Sequence, residues 1–406
     1  MYFFVILPLL SLSFWSVISY YSFWKYVYNG QVLKSGAILE DQHQKTIADK
    51  DSHDSQIKKS IPAELHGPAL KPVFEGSLPE NNNFLHSADA VHLSLVACGD
   101  RLDESIVLLK SAVLLTHQPL IFHLFVEDVL QKNFRDQLEF WPDEFKRKIY
   151  YRIFPISYPS DQNSNEWRKL FKPCASQRLF IASFLTDVDA LLYVDTDILF
   201  LSPIGAIWQH FNNFTALQST GLAPEHEDAV TGWYNRFARH PYYEPLGVNS
   251  GVMLMNLTRL RKSNWQSAIL EYYKIYKMYI VFGDQDLINI YFHFHSDELY
   301  IFPCHWNYRP DHCMYMSVCK SAEQEGAAII HGCRRVMHTD KQPAFKAVYL
   351  TFYKHRLGAD LQYSLLDTLK RELDNVSSTK CGQVRYIFSK WIEKEILNSP
   401  TENGHW

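Results

Sequence analysis

Apolar residues along this chain fall into short runs separated by polar breaks, and the runs carry two different periods. Val91 to Ala97 (VHLSLVA) is a nearly continuous apolar run of strand length, ending at Cys98-Gly99-Asp100-Arg101. Leu102, Ile106, Leu109 and Val113 then recur at helical spacing, with Asp103 placed as an N-cap and Pro119 as the stop. Leu120 to Val126 predicts a second strand, closed by Glu127-Asp128. A helical stretch follows to about Lys148, interrupted at Pro142, and Ile149 to Ile156 predicts a third strand. Strand, helix, strand, helix predicts βαβ units and a largely parallel sheet. In such sheets ligands bind beyond the carboxyl ends of the strands.

The run Asp189 to Pro203 (DALLYVDTDILFLSP) carries the most informative polar residues. Asp195 and Asp197 sit one residue apart inside an apolar segment. A buried charge is costly without a cationic partner, and two carboxylates together raise each other's pKa. A divalent cation relieves both problems, and carboxylate oxygens suit hard ions such as Mg²⁺ and Mn²⁺. A bare Asp-x-Asp is also a common strand-end turn. Apolar flanks on both sides favour the metal.

Further on, Ala175 to Leu185 predicts a helix bearing Arg178, which can meet a phosphate or one of the acids if its face turns to the crevice. Thr220 to Pro245 is irregular and aromatic-rich, a loop core or an acceptor platform. Gly247-Val248-Asn249-Ser250-Gly251 reads as a turn feeding the strand Val252 to Asn256. Asn264 to Tyr279 predicts a helix, and Gly283-Asp284-Gln285-Asp286 opens another over Leu287 to Phe292. Asp284 fits an N-cap; Gln285 has no capping role. Ala327 to Ile330 predicts a short strand leading to His331, a natural third ligand if it reaches the two acids.

Composition narrows the setting. The chain has 406 residues, a formal net charge of −4 and no basic block, so no nucleic-acid or other polyionic partner is expected. Tyr2 to Trp24 is free of charge and long enough to cross a hydrocarbon core of about 30 Å. It is followed by Lys25 and not by a small-x-small cleavage site, which favours an uncleaved signal-anchor over a signal peptide. The polar segment after it reads as a flexible stem. Seven cysteines show no paired C-x-x-C zinc spacing. Cys304, Cys313 and Cys319 cluster with Cys333, which suggests disulfides, and the odd total leaves a thiol over. Sequons at Asn213, Asn256 and Asn375 give weak support for a lumenal body.

Taken in order, LVACGDR (95–101), Arg178, LYVDTDILFLSP (192–203), GVNSGVMLMN (247–256), GDQDLIN (283–289) and IIHG (329–332) resemble a family-8 glycosyltransferase. The tracts 223–256 and 331–349 are most similar to the glucoside xylosyltransferases. The resemblance implies an α/β fold of the GT-A type, a Rossmann-like nucleotide-sugar-binding single domain with an N-terminal transmembrane anchor. The boundaries expected are 1–27 for a cytoplasmic tip and anchor, 28–87 for the stem, 88–395 for the catalytic domain and 396–406 for a tail. The implied setting is the ER or Golgi membrane, single-pass type II, with the catalytic domain lumenal.

The same resemblance implies site roles. Asp195, Asp197 and His331 hold Mn²⁺ (or Mg²⁺) on the donor diphosphate. Ala97, Cys98, Gly99, Asp100 and Arg101 lie where the first strand end contacts uridine, and Arg178 beside the nucleotide. Asn249 and Ser250 occupy the donor-sugar turn, and Thr196 and Gly332 complete the nucleotide-sugar set. Asp284 and Gln285 contact the donor sugar, Gln285 near the anomeric carbon. Many relatives carry a phosphate-contacting Lys six residues after the His; here Met337 stands there, and Arg334, Arg335 or Lys341 is left to substitute.

The expected reaction is retaining transfer of xylose from UDP-xylose to O-linked glucose on EGF-like repeats of membrane or secreted glycoproteins. Gln285 is a poor nucleophile, which favours attack on the face the diphosphate leaves; Asp284 or Asp286 as nucleophile is the minority reading. A family-8 enzyme with another donor, UDP-glucose or UDP-glucuronate, and a metal-dependent lectin-like protein are the alternatives.

Overall fold

A short strand, β1 (Phe74–Glu75), precedes the three apolar runs, which form β2 (Val91–Ala97), β3 (Leu120–Val126) and β4 (Ile149–Pro155). The structure, a computed structural model, describes residues 69–77, 89–158, 167, 170 and 174–398. The apolar segment Tyr2–Trp24, most of the expected stem and most of the expected tail lie outside them. Among the described residues no helix is long and apolar enough to cross a membrane.

β2, β3 and β4 pair in parallel, joined by crossovers that contain α1 (Leu102–Leu114) and α2 (Asp128–Glu139). Every residue of β3 is buried, as expected of a strand covered on both faces. Helix α1 starts at Leu102 behind Arg101, so Asp103 lies in its first turn and is not the N-cap.

The stem expected over 28–87 is corrected at one point. β1 pairs antiparallel with β4, Phe74 opposite Ile153, and adds an edge strand to the sheet. Two flanking backbone bonds, Val73 N to Ile153 O (2.7 Å) and Gly76 N to Tyr151 O (2.9 Å), extend the contact.

The sheet runs β1-β4-β3-β2-β5-β8-β7-β9, with β5 (Ala190–Val194), β7 (Thr220–Pro224), β8 (Val248–Asn256) and β9 (Leu299–Ile301). It is mixed, where a largely parallel sheet was expected. β8 lies antiparallel to both β5 and β7. A parallel return needs a long crossover that packs on the sheet. Between β7 and β8 the only helix is the four-residue Tyr234–Phe237, so the chain doubles back. β6 (Ile198–Phe200) and β10 (Ile329–His331) form a separate antiparallel pair.

Three local expectations also shift. The stretch 175–185 is a 3₁₀ helix, Ala175–Phe180, followed by one α turn, Ile181–Phe184. β8 already begins at Val248, so Asn249 and Ser250 are strand residues, not a turn. After α3 (Trp265–Tyr276), Gly283 takes φ 66° and caps α4 (Asp284–Phe294), which makes Asp284 its first residue and not its cap. The last long helix used below is α5 (Pro343–Lys354).

Disulfides join Cys98–Cys174, Cys304–Cys319 and Cys313–Cys381, and Cys333 is a free thiol. The expected grouping of Cys333 with its neighbours is thereby corrected. It follows β10 closely, and the next two residues, Arg334 and Arg335, take the left-handed φ values 60° and 61°.

Candidate active site

The antiparallel pairings gather the polar residues at one place. β5 ends at Val194, opposite Val252 of β8. The next two residues of the ladder follow, Asp195 N donating to Gly251 O at 2.9 Å. The start of β8, with Asn249 and Ser250, therefore lies beside Asp195. Similarly, β10 runs antiparallel to β6 with His331 opposite Ile198, which sets the imidazole next to Asp197. Gly332 N donates to Asp197 O at 2.7 Å.

His331 Nε2 stands 3.3 Å from Asp197 Oδ1 and 3.7 Å from Asp195 Oδ2. One ligand atom from each of the three residues lies within 4.8 Å of the others. Two carboxylates and an imidazole suit Mn²⁺ or Mg²⁺. The second ring nitrogen, Nδ1, is 3.0 Å from Asn307 Oδ1, so the ring is held by its far side and Nε2 faces the acids. Gly251 makes room for it: a Cβ there would lie 2.2 Å from His331 Cε1. These residues fit a divalent cation.

Arg178 is 5 % exposed and meets the acids, the second of the two expected roles. Its Nη2 is 2.6 Å from Asp195 Oδ1 and its Nε 2.7 Å from Asp284 Oδ2. Nη1 donates to Ser250 O at 2.7 Å, and the guanidinium lies 4.6 Å from the centre of the Tyr193 ring. Burial opposes its charge, but Asp195 and Asp284 outweigh burial and hold the guanidinium protonated. For Asp284 burial is the larger effect and pushes its carboxyl up to about 6, against the pull of Arg178.

Gln285 projects from the first turn of α4 towards β8. Its Oε1 accepts from Asn249 Nδ2 at 3.2 Å and from Ser250 N at 3.4 Å. Its Nε2 donates to Glu225 Oε2 at 3.0 Å. Asp286 is turned elsewhere. Fully buried, it accepts from Tyr234 OH (2.7 Å), Val281 N (2.7 Å) and Phe282 N (2.8 Å), and His240 Nε2 is 3.2 Å away. It ties the 281–282 loop to the 234–240 segment.

At the end of β2, Ala97 and Cys98 are buried and Cys98 is bonded to Cys174. Gly99 takes φ 64° and its N–H donates to Glu127 Oε2 at 2.8 Å. Asp100 pairs with Arg335 at 3.1 Å, and Arg101 is hydrogen-bonded to Glu104. Glu104 also accepts from Thr196 Oγ1 at 3.4 Å and lies 3.2 Å from His338. Asp100, Arg101, Glu104, Arg335 and His338 line a cavity of about 300 Å³. Of the three basic candidates, Arg335 opens on that cavity, whereas Arg334 pairs with Asp311 at 2.7 Å and lines a second cavity together with Lys341.

Sequence reasoning missed Glu225, Asn307, Arg309 and Glu104. Glu225 ends the apolar run Leu222-Ala223-Pro224, the same strand-end signal that exposed Asp195, and could have been found. Asn307 and Arg309 lie in an irregular segment among Cys and aromatic residues, where no local pattern marks them.

A mixed sheet with paired acids after β5, and a histidine brought to them by the separate β6–β10 pair, defines a GT-A-like glycosyltransferase domain. The chain belongs to Glycosyl transferase family 8, whose profile matches residues 92–335. It is 48% identical over 369 residues to glucoside xylosyltransferase 2 of Xenopus laevis, covering 88% of this chain and 84% of that protein. With glucoside xylosyltransferase 1 of Gallus gallus the identity is 50% over 320 residues, 76% and 73% of the two chains. Among solved structures, the galactosyltransferase LgtC in complex with donor and acceptor sugar analogues superposes with a TM-score of 0.52. That match covers 67% of this chain and 99% of LgtC at 15% identity, and speaks to the fold alone.

Proposed function

We propose that this protein transfers xylose from UDP-α-D-xylose to O-linked glucose on EGF-like repeats of proteins such as Notch, with retention and an α-1,3 linkage. The single observation that carries the reading is the convergence of Asp195, Asp197 and His331 beside Gln285, in a chain about half identical to glucoside xylosyltransferases.

Asp195, Asp197 and His331 would hold Mn²⁺ or Mg²⁺, which supplies a Lewis acid for the charge that grows on the departing diphosphate. The chain's own residues do the remainder. Arg178 orients Asp195 and neutralises part of the buried negative charge. Gln285 and Asn249 present amide groups where the sugar would lie. Among the described residues the carboxylates near Gln285 are engaged: Asp284 by Arg178, Asp286 by Tyr234 and the 281–282 backbone, and Glu225 by Arg309 and Asn249. This supports attack from the face the diphosphate leaves. The sugar C1–O bond to UDP breaks, a C1–O bond to the acceptor hydroxyl forms, and the hydroxyl proton passes to the departing phosphate.

Three disulfides fit an oxidising compartment. With the charge-free N-terminal run they support a type II protein of the ER or Golgi, its body lumenal.

The test is UDP release by the purified chain with Mn²⁺, offered UDP-xylose, UDP-glucose, UDP-galactose or UDP-glucuronate, with and without an O-glucosylated EGF-like acceptor. Turnover is expected only with UDP-xylose and the glucosylated acceptor, and Asp197→Asn should lower it at least about a hundredfold. Preference for another donor would move the function to a relative with that donor. UDP binding without metal-dependent turnover would favour a lectin-like role.

A further inference from the structure

Glu225 is 2 % exposed, directly follows β7 and carries no role assigned above. Its Oε2 is 2.9 Å from Arg309 Nη1, a side chain 1 % exposed, so both partners of the salt bridge are buried. That same oxygen accepts from Asn249 Nδ2 at 2.7 Å. Asn249 Oδ1 accepts from Gly251 N at 3.0 Å and from Asn307 Nδ2 at 2.8 Å. Asn307 Oδ1 in turn faces His331 Nδ1 at 3.0 Å. Four side chains thus form one unbroken file from a buried carboxylate to a metal-ligand candidate.

The file has a sense of direction. A carboxylate only accepts and a backbone N–H only donates, so Glu225 and Gly251 fix which end of the Asn249 amide points where. With Asn249 Oδ1 turned to Asn307, only the Asn307 NH₂ can meet it. The Asn307 carbonyl is then left for His331, and an acceptor at Nδ1 requires a proton on Nδ1. In the neutral ring the lone pair then lies on Nε2, the nitrogen facing Asp195 and Asp197. Histidine ligands are commonly tuned through the hydrogen bond of their other nitrogen. Here the group that sets it lies two amides away.

We propose that Glu225, paired with Arg309, is a positioning residue for the metal centre: through Asn249 and Asn307 it fixes the His331 tautomer that leaves Nε2 free to bind the cation. A side branch from the same oxygen orients Gln285. The inference rests on the metal reading given above, and it separates the role of Glu225 from any contact with the sugar.

The test measures Mn²⁺ affinity without donor or acceptor, by titration calorimetry on the full chain, with circular dichroism to check folding. Glu225→Leu removes the acceptor that holds the Asn249 NH₂, so the file loses its anchor, and Mn²⁺ binding should weaken about 10–100-fold. Asn307→Ala should do the same, because the acceptor for His331 Nδ1–H is then lost. Glu225→Gln keeps a carbonyl oxygen where Arg309, Asn249 and Gln285 converge and should bind Mn²⁺ within about twofold of the unaltered protein. Gln285→Ala removes the side branch and a second acceptor of Asn249 Nδ2 but leaves the Glu225–Asn249–Asn307–His331 file in place, and should lower turnover with Mn²⁺ affinity within about twofold.

Unchanged affinity in Glu225→Leu and Asn307→Ala, or a Glu225→Gln variant no better than Glu225→Leu, overturns the proposal while the metal site stands. Absence of Mn²⁺ binding by the unaltered protein overturns the metal reading itself and this inference with it. Should the variants fail to fold, ¹⁵N-histidine NMR of the unaltered protein decides: protonated Nδ1 on His331 is expected, and protonated Nε2 with bare Nδ1 overturns the proposal.

Discussion

Gly251 shows how one missing side chain shapes the centre. A Cβ there would stand 2.2 Å from His331 Cε1 and 2.6 Å from Nδ1, inside the imidazole and not against a flexible chain end. Gly251→Ala should therefore push the ring off Asp195 and Asp197. Overpacking of this kind costs about 1–3 kcal/mol of stability. Mn²⁺ affinity should fall at least about tenfold, beyond what that loss explains; calorimetric titration beside a thermal melt separates the two, and an unaltered affinity would show that the ring accommodates the methyl. Asp284 makes a pH prediction. Burial raises its carboxyl to about 6, so it is ionised above that pH and protonated below. Protonation removes one of the two anions that hold Arg178. Turnover should be full above pH 6 and fall towards about tenfold per unit below it. Asp284→Asn should lower the plateau and remove this limb; a flat profile from pH 7 to 5 in the unaltered protein would sink the assignment.

At the scale of elements, strand direction decides the chemistry. A β8 parallel to β5 would have placed Asn249 and Ser250 at the far end of the sheet from Asp195. The antiparallel β10 does the same service for His331. The Cys98–Cys174 disulfide ties the end of β2 to the residue before the helix that carries Arg178. β1 works at the opposite edge. Its flanks donate two backbone bonds to β4, Leu70 N adds one to Phe184 O at 3.3 Å, and Arg135 lies 4.8 Å from the Phe74 ring centre. At about 0.5–1.5 kcal/mol for each bond, less the entropy of ordering the segment, β1 contributes on the order of 1–3 kcal/mol. A chain beginning at Ala69 should melt several degrees above one beginning at Ala88, with equal turnover at 25 °C. Identical melting temperatures would mean that β1 adds nothing.

For the whole molecule, local pattern carried a great deal. Apolar runs bounded by polar breaks located β2, β3, β4 and β5, because a strand buried on both faces must be apolar throughout. Asp195, Asp197, Gln285 and His331 were legible because each is a polar residue without local excuse at the edge of an apolar run. Composition and the N-terminal run argued for a membrane-anchored lumenal protein, a setting proposed on those grounds. Strand direction, disulfide partners and the relay from Glu225 were not legible. Hydrophobic period does not distinguish parallel from antiparallel neighbours, and cysteine spacing does not state which sulfurs meet. Asn307 carries no local signal because its role exists only where β8, the 304–309 segment and β10 come together. The sequence by itself determined which residues must be buried and which charges need partners, since those follow from transfer out of water. Only the tertiary structure decided who those partners are: Arg178 for Asp195 and Asp284, Arg309 for Glu225, and Asn307 for His331. The physical reason is that a hydrogen bond or an ion pair depends on distance and direction in space, and residues far apart in the chain acquire those only when the sheet closes.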